Sequence, residues 1–378
     1  MKKISMVDLH GQYLHIKPEI DQAIQRVLDS AVFVKGSEVK EFEKELGDYL
    51  GVSHVIACAN GTDALQICLM ALDLHPGDEV ITPDFTFIST VEVSALLGFT
   101  PVLVDVEPGT FNIDIRKLEK AVTPRTKVII PVHLFGQCAN MEEILQIAEK
   151  HGITVIEDVA QALSADYTFA SGRKVKAGTM GRMACTSFFP SKNLGCFGDG
   201  GAMITNDAGL AGTLAAITHH GMRQRYHYDI TGVNSRLDTI QAAILRVKLR
   251  YLDDYSRARK QAADWYDTYL KDIPGLEIPK CSTFSTHVFH QYTLKLTGIV
   301  REEFMNHLTA KGVPSMVYYP VPLHIQKAFT YLGYREGDFP VSERLCKSVV
   351  SLPMHTELDE EQLQYITATI TEFINSKS

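Results

Sequence analysis

The chain has 378 residues, 45% of them hydrophobic, and its 37 basic against 45 acidic residues leave a net charge of −8. That length exceeds one small core and predicts a large and a smaller domain, while the acidic balance argues against a nucleic-acid or anionic-membrane partner. The seven cysteines (Cys58, Cys68, Cys138, Cys185, Cys196, Cys281 and Cys346) form no C-x-x-C pair and read as reduced, mostly buried thiols, not as a disulfide framework or a metal site. No apolar run reaches membrane-spanning length. Met1-Lys2-Lys3-Ile4 leads into polar residues without the apolar stretch of a signal peptide, so a cytoplasmic location is expected.

Residues 5–50 read as helical after a short lead-in: Ile20, Ile24, Val27 and Leu28 lie at helical spacing, as do Phe42, Leu46 and Leu50. Between them Ala31-Val32-Phe33-Val34-Lys35-Gly36 reads as a loop or short strand with an apolar tip. From residue 55 short β-branched runs alternate with helical segments such as Asp63–Leu72 and Met141–Lys150. The runs are Val55–Ala59, Glu79–Thr82, Pro101–Asp105, Val128–Val132, Thr154–Asp158, Ala184–Phe189 and Gly201–Thr205. The alternation predicts an α/β fold with a seven-stranded, mostly parallel sheet covered by helices on both faces. After residue 235 the pattern changes. Arg236–Leu252 reads as a long helix, a second runs from about Ser256 to Leu270, and Asp272-Ile273-Pro274-Gly275 ends it. Residues 276–378 read as a smaller α+β unit with strands near Gln291–Leu296 and Ser315–Tyr319 and a closing amphipathic helix over Asp359–Ile374. The expected division is a large domain over 1–250 and a small C-terminal domain over 251–378.

In such sheets ligands sit beyond the carboxyl ends of the strands, so the residues there carry the functional argument. Asn60-Gly61-Thr62 turns from the first strand into a helix, either as an ordinary N-cap or as an anion site built from free N–H groups. Phe85 and Phe87 follow the second strand and are either core residues or a ring to stack on a flat ligand. Asp158 ends the fifth strand; a carboxylate there caps a helix or needs a cationic or N–H partner, and a protonated pyridine nitrogen would serve. Gln161 is three residues on. The sixth strand delivers Ser187 and then, past Pro190, Lys192, with Gly195, Gly198, Gly200 and Gly201 following. A lysine with a lowered pKa can serve as a Schiff-base nucleophile. An anion cradle, a stacking ring, a carboxylate for a ring nitrogen and an amine are together the polar requirements of pyridoxal phosphate, a cofactor the protein has only to orient and tune.

These residues stand in ordered motifs. They include Asn60-Gly61-Thr62-x-Ala64-Leu65, Gly77-Asp78-Glu79-Val80-Ile81-Thr82-Pro83, Thr86-Phe87-x-x-Thr90, Glu157-Asp158-x-Ala160-Gln161 and Ser187-Phe188-x-x-x-Lys192. Further along come Asn234-x-Arg236-Leu237-Asp238-x-x-Gln241-Ala242-Ala243 and Tyr319-Pro320-x-Pro322-Leu323-His324. The set resembles the DegT/DnrJ/EryC1/StrS family of pyridoxal-phosphate-dependent sugar aminotransferases, within the fold-type I (aspartate aminotransferase-like) superfamily. The resemblance implies that Lys192 condenses with the cofactor aldehyde and that Asp158 pairs with the pyridinium nitrogen. It implies that Gln161 approaches the phenolic oxygen, that Gly61, Thr62 and Ser187 hold the phosphate, and that Phe87 stacks on the ring. Asn234 would reach the cofactor phosphate of a neighbouring subunit, which implies a homodimer with shared active sites. Lysine at position 192, where a dehydrating branch has histidine, places the chain with the aminotransferases.

The implied substrates are L-glutamate and a nucleotide-linked keto-sugar. The stretches 184–196, 58–66 and 232–239 are similar to enzymes that aminate UDP-2-acetamido-2-deoxy-3-oxo-glucuronate at C3 for surface polysaccharides. Amination at C4, a dTDP- or GDP-linked sugar, and a non-catalytic cofactor-binding regulator are the alternatives. On the substrate side Arg236 could meet a carboxylate or diphosphate through a bidentate fork, or form a structural ion pair. Tyr319, His324 and His220 are sugar-pocket candidates, with a structural role the alternative for the histidines.

Overall fold

The computed structural model describes residues 3–377. Met1 and Lys2, part of the N-terminal stretch considered above, and Ser378 lie outside the described residues. Five β-strands precede the middle of the chain: β1 His54–Cys58, β2 Glu79–Pro83, β3 Thr100–Val104, β4 Thr126–Ile129 and β5 Thr154–Asp158. A two-stranded antiparallel hairpin, β6 Asp166–Thr168 and β7 Lys174–Lys176, follows, then β8 Met183–Ser187 and β9 Gly201–Thr205. The main sheet has seven strands in the order β1-β9-β8-β5-β4-β2-β3. Only β9 runs against the rest, pairing antiparallel with β1 and β8, while β2, β3, β4, β5 and β8 pair in parallel. Burial on both faces explains the near-continuous apolar runs: Val80, Ile81, Val128, Ile129 and Ile156 are fully buried.

Helices cover both faces. Helix Ser37–Leu50 lays Phe42, Leu46 and Leu50 against one face, where Phe42 meets the ring of Phe188 edge-on at 5.2 Å. On the other face helix Gly61–Met70 contributes Leu65, Ile67 and Leu69 to a separate cluster with Cys58, Val80 and Cys185. Helix Lys17–Ser30 buries Ile20, Ala23 and Val27 against Ala243, Ile244 and Val247 of helix Thr239–Leu249. Six cysteines are buried, Cys281 is exposed, and all are free thiols.

The C-terminal part is a three-stranded antiparallel sheet of Leu276–Glu277, Tyr292–Leu296 and Val349–Leu352, the second of these central. Helices Leu252–Leu270, Arg301–Ala310 and Glu360–Asn375 enclose it, and Ile4 from the chain's start packs into the same cluster. Helix Glu360–Asn375 begins with a capping box: Asp359 accepts from the Gln362 N–H while the Gln362 side chain accepts from the Asp359 N–H. Among the described residues no helix is long and apolar enough to cross a membrane.

Two sequence-based elements differ. Arg236–Leu252 is not one helix. Residues Asn234–Asp238 are extended, with Val34 bridged to Asp238 and the Thr239 N–H bonded to Phe33 O, so the helix opens only at Thr239. Leu237 is buried from this extended segment, which is why it had read as part of the helical stripe. The next helix starts earlier than expected, at Leu252. Ser315–Tyr319 is not a strand: Met316 alone pairs with Ser351, and the chain then leaves the sheet ahead of Pro320 and Pro322, which carry no N–H to extend a ladder.

Successive side chains of a strand point to opposite faces, and β5 uses this to hold two carboxylates apart. Glu157 is fully buried, accepts backbone N–H bonds from Gly178 (3.0 Å), Met180 (2.7 Å) and Gly181 (2.7 Å), and lies 2.9 Å from His133 Nε2. His133 Nδ1 accepts from the Ala139 N–H at 3.1 Å, so Nε2 carries the proton given to Glu157. Replacing Glu157 by alanine strands these donors in the interior and is expected to cost about 3–5 kcal/mol, measurable as a lowered urea midpoint; a midpoint equal to wild type would contradict the role.

Candidate active site

The carboxyl ends of β1, β2, β4, β5 and β8 open onto one cavity of about 510 Å³, within the range of small-molecule sites. Asn60, Gly61 and Thr62 follow β1, Thr86 and Phe87 follow β2, Val132 and Phe135 follow β4, and Asp158, Ala160 and Gln161 come from β5 and its end. Ser187 and Lys192 arrive from β8. Tyr319 closes the space from the C-terminal part.

Helix Gly61–Met70 points its first turn at this cavity, with Asn60 as N-cap accepting from the Asp63 N–H at 2.8 Å. Both readings of Asn60-Gly61-Thr62 therefore meet: the helix is capped, and the N–H groups of its first turn face the cavity. Gly61 is required by proximity, because a Cβ there would sit 2.7 Å from Ser187 Cβ. The Thr62 and Ser89 hydroxyls are 2.7 Å apart, and Ser187 Oγ accepts from the Phe189 N–H at 3.2 Å, leaving its own proton to donate.

Phe85 and Phe87 divide the roles open to them. Phe85 is buried in an aromatic cluster with Phe111 and Phe135, whereas Phe87 lines the cavity and is 53% exposed. So much bare aromatic surface inside a cavity suits a planar ligand. Gln161 Oε1 accepts from the Phe135 N–H (2.8 Å) and its Nε2 donates to Tyr319 Oη (3.1 Å), with a second amide hydrogen to spare. Tyr319 also packs against Phe87 (6.3 Å between centroids) and Phe85 (6.0 Å). Burial holds its phenol above the ordinary value.

Asp158 is buried and accepts from the Ala160 N–H at 3.0 Å; among the described residues no other hydrogen bond reaches its carboxylate. Burial raises its pKa, while the Ala160 N–H and the charge of Lys192 pull the other way. Lys192 is held by its backbone N–H to Phe189 O (2.8 Å), and its amine has no hydrogen bond among the described residues. Burial lowers it to about 8, with Asp158 opposing the shift. Lys192 retains some exposed surface while lying deep within the protein's envelope, as expected for a residue on a cavity wall.

A second lysine is depressed to about 8 by burial, Lys248. Geometry separates the two. Lys248 donates to Gly195 O and lies 5.5 Å from the centroid of the Phe197 ring, so it braces the loop that carries Lys192 and lies outside the cavity's lining.

The remaining sequence candidates lie elsewhere. Asn234, Arg236 and His220 are exposed and outside the lining of this chain's cavity. His324 does not fit a pocket role: its ring is fully buried outside that lining and bound to Asp84 at 2.8 Å. Sequence reasoning missed several lining residues, among them His290, Gln291, Tyr318 and Ser89. His290 and Gln291 sit in Val288-Phe289-His290-Gln291-Tyr292, which reads as the approach to a strand. Only the buried, unpartnered Nδ1 of His290 marks it out, and that is visible in three dimensions alone.

The family model for the "DegT/DnrJ/EryC1/StrS aminotransferase family" matches residues 14–371. The chain belongs to this family. It is 47% identical over 368 residues (97% of this chain, 99% of the relative) to the UDP-2-acetamido-2-deoxy-3-oxo-D-glucuronate aminotransferase of Pseudomonas aeruginosa. It is 46% identical over 372 residues (98% of each) to a protein of Geobacillus stearothermophilus named "Pleiotropic regulatory protein". Among solved structures, NtdA of Bacillus subtilis with bound cofactor PMP superposes with a TM-score of 0.89 at 32% identity, over 99% of this chain and 86% of that one. The fold is the fold-type I aminotransferase fold, and the protein is a pyridoxal-phosphate-dependent aminotransferase. The residues present fit the cofactor: a helix N-terminus and hydroxyls for a phosphate, a bare ring, a buried carboxylate short of donors, and an amine without a partner.

With Lys192 lowered to about 8, its amine in the cofactor-free chain becomes reactive two to three pH units below an ordinary lysine. Pulsed acetylation read by mass spectrometry is expected to show Lys192 labelling with a midpoint near pH 8; a midpoint at the ordinary lysine value would contradict the burial argument.

Proposed function

We propose that this protein transfers the amino group of L-glutamate to C3 of a UDP-linked 3-keto sugar, with UDP-2-acetamido-2-deoxy-3-oxo-glucuronate as substrate, and so supplies a surface-polysaccharide precursor in the cytoplasm. The observation that carries the reading is the joint placement of Lys192, Asp158, Gln161 and Phe87 around one cavity, together with the name of the Pseudomonas aeruginosa relative. When bound, pyridoxal phosphate supplies the electron sink for amino-group transfer.

The chain's residues would then act as follows. Asp158 would hold positive charge on a ring nitrogen of the cofactor, and its buried position would make that pairing strong. The first turn of helix Gly61–Met70, Thr62 and Ser187 anchor the phosphate. Phe87 would cover the ring, and Gln161, fixed by Phe135 and Tyr319, would have its remaining amide hydrogen to offer the phenolic oxygen. Lys192, lowered to about 8, holds its proton less tightly than an ordinary lysine. At pH 7 that leaves roughly a tenth of the amine neutral, so it can both take and return a proton at Nζ as the amino group moves. Asn234, Arg236 and His220 are exposed and unplaced in this chain's cavity, which supports a homodimer in which they face the partner's site. Arg236 has no hydrogen bond among the described residues and is available to a sugar carboxylate or diphosphate. The division at 250/251 belongs to the same reading: the cluster around the three-stranded sheet comes, apart from Ile4, from residues after 251, while Leu252 and Val288 pack into the large-sheet core.

A second reading, a cofactor-binding regulator without turnover, draws on the name of the Geobacillus stearothermophilus relative. Half-reaction spectroscopy separates the two. Glutamate is expected to convert the cofactor to its aminated form, and the UDP-3-keto sugar to restore it. Amination by glutamate with restoration only by a 4-keto or dTDP-linked sugar would overturn the substrate, and no response to glutamate would favour the regulator. Lys192→Ala is expected to lower turnover by at least about 10²–10⁴-fold and Asp158→Asn by about 10²–10³-fold, measured as steady-state glutamate turnover. Wild-type turnover in either variant would remove that residue from the site.

A further inference from the structure

Asp84 lies one residue beyond β2 and is fully buried. Its Oδ1 accepts from the His324 N–H at 2.7 Å and its Oδ2 lies 2.8 Å from His324 Nδ1, while its backbone carbonyl accepts from the Leu323 N–H at 3.3 Å. On the far side of the ring, His324 Nε2 is 3.2 Å from Glu343 Oε1, an ionic contact without hydrogen-bond alignment. Glu343 belongs to helix Pro340–Ser348 and is itself held by the Gly337 N–H at 2.7 Å. The Phe339 ring, 4.7 Å away, packs beside the imidazole.

The position of this bridge gives it reach. Asp84 leads into Phe85, Thr86 and Phe87, and the last two line one wall of the cavity. His324 closes the segment that carries Tyr318 and Tyr319, which line the same cavity from the C-terminal part of the chain. Tyr319 in turn contacts Phe85, Phe87 and Gln161. The two walls come from the parallel sheet and from the C-terminal part of the chain, so their separation depends on whatever joins them.

An ionised carboxylate only accepts hydrogen bonds, so a ring nitrogen facing one needs its own proton. His324 faces one on each side. We propose that His324 is a positioning residue: as an imidazolium between Asp84 and Glu343 it fastens the Tyr318–Tyr319 wall to the Phe85–Phe87 wall, and loss of its proton loosens that closure.

The other titratable groups nearby leave Asp84 and Glu343 as the charges that the ring meets. The Cys346 thiol is pushed up to about 12 by burial, and burial also raises the Tyr334 phenol, so both are neutral. Asp105, which Ser342 reaches from the Glu343 helix, is already paired with Lys117 at 2.6 Å. Burial opposes charge on His324, but the Asp84 hydrogen bond and the two carboxylates outweigh it and hold the ring above its ordinary value. Burial raises Asp84 as well. The two directions agree if the proton is shared along the Nδ1–Oδ2 contact, and either placement keeps that contact closed. Since the folded value is raised, the bridge is complete below the unfolded histidine value of about 6.5 and is lost as pH climbs through the folded value.

Hydrogen–deuterium exchange on the full-length, cofactor-loaded protein tests this, reading the peptide over residues 316–325 from about pH 6 to about pH 9 after correction for intrinsic exchange. Protection of the Leu323 and His324 amides is expected to fall by about tenfold or more as pH rises, relative to helix Gly61–Met70. His324→Gln is expected to exchange rapidly at every pH, and Glu343→Gln to move the fall to lower pH. Protection that is flat with pH, or a fall that persists in His324→Gln and so belongs to another group such as Lys192, would overturn the proposal. If His324→Gln does not fold, Glu343→Gln decides alone: an unmoved midpoint overturns the proposal and a lowered one supports it.

Discussion

A buried carboxylate and an amine deep in the same cavity, neither of which meets a protein partner of opposite sign at hydrogen-bond distance among the described residues, are the constraint around which this molecule is built. Among the described residues Asp158 accepts from one backbone N–H and the Lys192 amine has no hydrogen bond. Each is costly to bury alone. Their mutual attraction offsets part of that cost, and the shifts show what is left: burial still raises Asp158 and lowers Lys192 to about 8. A cationic ring nitrogen against Asp158 and an aldehyde against Lys192 would satisfy both, so the protein is organised to be completed by its cofactor.

The sheet provides the rigidity that this arrangement needs. Asp158 sits at the end of a strand whose preceding residue, Glu157, is locked from the opposite face by His133 and three backbone N–H groups. Lys192 sits on a loop braced by Lys248 through Gly195. Ser187 and Gly61 approach so closely that a side chain at 61 would drive the two turns apart. Each functional group thus stands at the end of an element fixed by a dry core on both of its faces, and the cavity wall formed by Tyr318 and Tyr319 is tied to this frame through Asp84 and His324.

All seven sheet strands were legible because each is a short apolar run bounded by turn residues, and the site was legible because its residues sit just past those runs. The signal failed where local pattern and tertiary role diverged. Leu237 mimics a helical stripe while being buried from an extended segment. Met316 makes a single bridge in a stretch whose β-branched and aromatic content suggests a strand. His324 looks like a pocket histidine from its neighbours in sequence, but its partner is 240 residues away. His290 and Gln291 gave no sign of lining the cavity, since a strand approach and a cavity wall share the same apolar neighbours.

The central claim is that Lys192, and not the equally depressed Lys248, is where the cofactor attaches. Borohydride reduction of the protein loaded with pyridoxal phosphate, followed by peptide mass spectrometry, tests it most directly, because reduction makes a Schiff base permanent. The account predicts one phosphopyridoxyl adduct, on the peptide containing Lys192, and its disappearance when reduction follows incubation with glutamate. An adduct on Lys248, or one spread over surface lysines, would contradict it.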